Sequence, residues 1–137
     1  MRNTIAVLIT AAAVSLVGTP LWAHHSFAAE FDADKPVKLR GTVVKMQWIN
    51  PHAWLQVDVK ADDGKVTHWM IEAAAPNALL RRGWNKNSLP PGSDIYVEGF
   101  QAKDGSTRAN GNIITFADGR KLFVGSSRPG EGPGPDR

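Results

Sequence analysis

Apolar and polar residues alternate along much of this chain, and the alternation predicts strands. Val37, Leu39, Gly41 and Val43 interleave with Lys38, Arg40 and Thr42, and the pattern runs on through Val44 to Ile49. A period of two puts one set of side chains on each face of a half-buried strand. The glycine inside this long first strand predicts a bend or bulge, so that one strand serves two parts of a curled sheet. Asn50-Pro51 interrupts it, because proline has no N–H to give to a ladder. A second strand follows, with Leu55, Val57 and Val59 on one face and Trp54, Gln56 and Asp58 on the other. Asp62-Asp63-Gly64 is a turn signal, which makes Val66–Glu72 the return strand of a hairpin.

The period then changes. Pro76–Arg82 reads as a short helix, with proline near its first turn and Gly83 where a C-terminal cap belongs. After the Leu89-Pro90-Pro91-Gly92 loop, Ile95–Phe100 predicts a fourth strand. Residues 113–116 and 122–124 flank Asp118-Gly119 as a further hairpin. Three strands, a helix and further strands, with a bent first strand, is the order of the OB-fold. The expected fold is therefore all-β, a small OB-fold-like five-stranded Greek-key barrel with one short helix between strands 3 and 4. The competing architecture is a β-sandwich, which normally has more strands and no central helix.

Both chain ends depart from this alternation. Arg2 opens a short basic start, residues 5–17 are almost wholly apolar, and Leu21-Trp22-Ala23 ends on a small residue. That order predicts a secretory signal over residues 1–23. An uncleaved anchor is the rival reading, although its apolar run is shorter than the roughly 20 residues a span requires. Residues 24–36 read as an extended lead-in, 37–125 as the β domain, and 126–137, rich in Pro, Gly and charge, as a disordered tail. Cleavage after Ala23 leaves His24–Arg137 and makes His24 the new N-terminus. The expected location is periplasmic or secreted.

Composition narrows the chemistry. The chain of 137 residues carries 16 Lys+Arg against 13 Asp+Glu, and no cysteine. Without Arg2 the formal charge falls to +2, too mild to suggest a nucleic-acid partner. The lack of cysteine excludes disulfides, thiolate metal sites and thiol catalysis. No phosphate loop or glycine-flanked nucleophile is present.

The histidines carry the most chemistry. Imidazole suits copper, zinc and nickel. At a mature N-terminus, His24 offers its α-amine and a ring nitrogen to one ion, and His25 adds a second ring. His52 follows Asn50-Pro51 in a loop. These three form the expected metal site, with a nitrogen set that favours Cu(II). His68, placed beside Asp58 by the hairpin, lies roughly 20 Å from His52 along the strand and is expected to be a cross-strand partner instead. A second candidate site is the outer face of strands two and three, where Trp54, Gln56 and Glu72 form a small-ligand patch.

His24-His25-Ser26-Phe27, Phe31-Asp32, Gly41-Thr42-Val43, Asn50-Pro51-His52, Trp69 with Glu72, Gly83-Trp84, Leu89 with Gly92, and Gly99 with Asp104-Gly105 resemble a family of small exported bacterial proteins of unknown function. The resemblance covers essentially all of the mature domain and implies processing before His24. It implies no activity. The function expected is metal binding, copper first, for binding or delivery and not turnover. A metal-free module that takes a small ligand or partner protein on the Trp54 face is the alternative. An oxidative copper enzyme is a weaker third class, and no stable membrane anchor is expected after cleavage.

Overall fold

The computed structural model describes residues 27–125. Residues 1–23, expected to be a secretory signal, His24, His25 and the expected tail from residue 126 lie outside the described residues. A one-turn helix, α1 (Phe27–Glu30), leads directly into β1 (Phe31–Gln47), followed by β2 (Trp54–Lys60) and β3 (Val66–Glu72). Then come α2 (Pro76–Arg81), β4 (Asp94–Ala102), β5 (Arg108–Phe116) and β6 (Lys121–Phe123). The all-β class holds, but the sheet has six strands, in the order β3-β2-β1-β4-β5-β6, not five. The extra strand is the short β6, the return arm of the hairpin around Asp118-Gly119. The lead-in, expected to be extended, begins its described part with four helical residues, and 31–36 belong to β1.

β1 divides its pairing between two neighbours. Its first part runs antiparallel to β4, from Phe31↔Ala102 to Thr42↔Asp94, and its last part to β2, from Thr42↔Asp58 to Gln47↔Trp54. Gly41 sits where the two pairings meet. A Cβ there would lie 2.6 Å from the carbonyl oxygen of Asp58 and from Val57 Cγ1, so the glycine permits a close approach of β2. The register irregularities of β1 fall between Val43 and Lys45 against β2 and between Phe31 and Pro36 against β4. β3 and β5 add a parallel pairing, Met70↔Arg108 to Glu72↔Asn110, so each of β1–β5 has a strand on both sides.

The inward faces make one core. Val43, Leu55, Val57, Ile71, Ile95, Val97 and Ile114 are buried, and Leu39 packs against them partly covered. α2 and the following loop place Leu79, Trp84 and Leu89 in the same cluster. Proline opens α2, and Gly83, at φ +85°, receives the chain as it leaves the helix. Among the described residues, no helix is long and apolar enough to cross a membrane.

Candidate functional site

The β2–β3 hairpin has the register its turn predicts. Asp58 stands opposite His68, and His68 Nδ1 lies 2.8 Å from Asp58 Oδ1 on the exposed surface. At the other end of the hairpin Trp54 faces Glu72, and Gln56 faces Met70. The alternation that buries Leu55, Val57 and Ile71 turns Trp54, Gln56, Met70 and Glu72 to the outer face.

Glu72 is nevertheless buried, at 8% exposure. The parallel pairing with β5 brings Asn110 alongside, and Asn110 Nδ2 donates to Glu72 Oε1 over 3.1 Å. His52 approaches from the loop before β2. Its Nδ1 lies 3.8 Å from Glu72 Oε1 and 3.3 Å from the carbonyl oxygen of Ala73. Backbone bonds hold that approach, with Ala73 N–H donating to Ala53 O and Ala53 N–H to Ala74 O. Burial pushes the Glu72 carboxyl above its ordinary value, while the neighbouring His52 and the Asn110 hydrogen bond pull it back only in part.

Arg108 forms the next layer. Its guanidinium bonds Glu30 Oε2 at 2.8 Å and stands 5.9 Å from the Trp54 ring centroid. Beside it, Gln47, Ile49, Trp54, Met70 and Arg108 line an open depression of about 320 Å³. Gln56 and Glu72, expected with Trp54 in one ligand patch, do not line it.

α1 is docked at this edge of the sheet. The Phe27 ring packs edge-on against Phe100 and tilted against Phe31, with centroids 5.5 and 5.9 Å apart. Lys103 Nζ donates to Ala28 O over 2.6 Å, and Lys103 N–H to Glu30 O over 2.9 Å. His24 and His25, two of the three expected metal ligands, precede this element and lie outside the described residues. Among the described residues, no group of three or more His, Cys, Asp or Glu side chains is placed to hold a metal ion. His52 and Glu72 form a pair in which His52 is the more exposed partner.

Sequence reasoning missed Asn110, Arg108 and Glu30. The first two sit in a stretch, Arg108–Asn112, whose Asn-Gly-Asn disfavours strand. Gly111 owes its place to packing: a Cβ there would lie 2.8 Å from Ile71 Cγ2.

The sequence profile of one protein family matches residues 12–111, and its description is a family of unknown function (DUF6152). No curated protein and no solved structure matches the chain.

Proposed function

We propose, for a chain that belongs to the DUF6152 family, an exported metal-binding role through His24, His25 and His52, with copper the first candidate and delivery, not turnover, the purpose. The fold that would carry it is an OB-like Greek-key barrel. The β3–β5 pairing supports that reading, since it joins the two ends of the five-strand series.

The observation that carries the function is the docking of α1. Phe27 packs on Phe100, Phe100 pairs with Asn110, and Asn110 pairs with Glu72. Two strand spacings, roughly 10 Å, separate the Phe100 and Glu72 positions. His24 lies three residues before Phe27, and three extended residues span about 10 Å. Extended toward the hairpin, those three residues would be long enough to bring the two histidines, and the amine that processing would free, toward His52. An amine that titrates near pH 8 and neutral imidazoles are donors that Cu(II) takes readily.

Titration of processed protein with Cu(II), by calorimetry or against a competing chelator, tests this. A glycine added before His24 keeps every ring but displaces the amine. It should weaken binding at least tenfold, about 1.4 kcal/mol, and His52→Ala should weaken it similarly. Equal affinity in all three proteins would overturn the site.

The depression beside Trp54 favours a second reading, a metal-free module for a small ligand. Its lining is mostly apolar, with Arg108 at one side. A ligand whose affinity falls in Trp54→Ala, but not in His52→Ala, would select it.

A further inference from the structure

His52 has one ring nitrogen already engaged. Nδ1 lies 3.3 Å from the carbonyl oxygen of Ala73. A carbonyl oxygen only accepts, so the hydrogen bond requires the proton on Nδ1. A neutral imidazole carries a single N–H, which leaves Nε2 with the free lone pair, the form that binds a metal ion.

A carboxylate stands behind that same N–H. Glu72 Oε1 is 3.8 Å from Nδ1, too far for a hydrogen bond but close enough to favour a proton there. The fold hides this group from water, although a buried carboxylate is costly to keep. Asn110 Nδ2, 3.1 Å away, fixes its orientation from the neighbouring strand. Nothing about the β3 alternation demands an acid at this position, and a neutral side chain would bury more readily.

We propose that Glu72 and the Ala73 carbonyl hold His52 as its Nδ1–H tautomer and so present Nε2 as the metal-binding nitrogen, with Glu72 a positioning residue that does not itself touch the ion. This rests on the reading of His52 as a ligand. Such outer partners fix ring orientation and raise the basicity of the ligating nitrogen, and their loss typically costs 10- to 100-fold in metal affinity. Asn110 belongs to the same relay one step further out.

Two measurements on the processed full chain test it. Long-range ¹⁵N–¹H correlation spectra of the metal-free protein at about pH 8, above the ordinary histidine value near 6.5, read the tautomer directly. His52 should be protonated on Nδ1. Cu(II) affinity is then compared in the native protein, His52→Ala, Glu72→Gln and Glu72→Asp. Glu72→Gln keeps an acceptor for Asn110 and should lose tenfold or more in affinity without a lower melting temperature. Glu72→Asp, which keeps the charge, should recover part of the loss. An Nε2–H tautomer in the native protein would overturn the proposal. So would native affinity in Glu72→Gln alongside a clear loss in His52→Ala. If His52→Ala itself keeps full affinity, the metal site proposed above is wrong at His52 and the role of Glu72 falls with it. The two failures differ in which variant is silent.

Discussion

Gly99 in β4 faces the backbone of β5 more closely than any side chain would allow. A Cβ built there lies 2.2 Å from the carbonyl oxygen of Asn110, 3.1 Å from its carbonyl carbon and 3.2 Å from Gly111 Cα. All three neighbours are main chain, so no rotamer change relieves the overlap. To restore ordinary contact at 3.4 Å or more, β5 must retreat by roughly 1 Å, enough to break ladder bonds whose N···O distance is about 2.9 Å. Overpacking a well-filled interior costs about 1–3 kcal/mol, occasionally more, and contact with backbone alone puts Gly99→Ala at the upper end. For a domain of this size about 3 kcal/mol lowers the melting temperature by about 12–24 °C. Gly105→Ala is the internal control. Gly105 has nothing within 4 Å of its Cβ position, but its φ of +75° penalises alanine, for about 1–2 kcal/mol. Thermal and urea unfolding followed by circular dichroism should rank Gly99→Ala as the more damaging change. Equal stabilities, or the reverse order, would show that the β4–β5 contact yields easily and that the reasoning from close approach is wrong.

Val57, fully buried between β1 and β3, should cost about 1–3 kcal/mol when replaced by alanine, read from the urea midpoint at unchanged slope. His68→Ala should change stability by less than about 1 kcal/mol, because its pair with Asp58 is exposed. Cu(II) affinity should also be unchanged in that variant, since His68 sits roughly 20 Å along the strand from His52. Glu72→Gln should show a pH-dependent stability difference from the native protein. Burial raises the Glu72 carboxyl in the folded state, so the folded chain holds its proton to higher pH than the unfolded chain does. The contribution of Glu72 therefore declines as pH rises through 4.5 and then through the raised folded value. Glutamine carries no such penalty, and the variant should gain on the native protein as pH rises above 4.5 in paired melts. A flat difference would mean that Glu72 is solvated, and an opposite slope that its neighbours hold it ionised; either result refutes the burial argument.

The β2–β3 hairpin was readable because three signals agree: alternation in both strands, a strong Asp-Asp-Gly turn, and apolar residues that share one face. Its register follows, and with it the separation of His68 from His52. The site itself was less readable. Glu72 lies on an outward position by alternation, and only the parallel neighbour β5, distant in sequence, buries it. That neighbour begins at Arg108, in a segment whose Asn and Gly residues mimic a turn. Alternation reports which face a residue takes but not which strand lies beside it. The pairing that assembles Glu72, Asn110 and Arg108 is the parallel contact between β3 and β5, strands far apart in sequence. The α1 anchorage was hidden for a related reason, since Glu30 and Phe27 find their partners in β4, β5 and the loop between them.

The divided pairing of β1 bears on how a nascent chain of this kind avoids trouble. β1 is made first, and β2 follows within a few residues to cover its second half. The first half has to wait for β4, since Thr42 meets Asp94 across a separation of 52 residues. During that interval an unpaired strand edge faces the crowded surroundings of synthesis, the setting in which strands join the wrong chain. Asp32, Asp34, Lys35, Pro36, Lys38 and Arg40 occupy this waiting stretch. Charged side chains keep this edge hydrated, and proline withholds one of the donors that a second copy would need. The polar character of β1 before Gly41 thus disfavours the addition of a foreign strand before its proper neighbour exists.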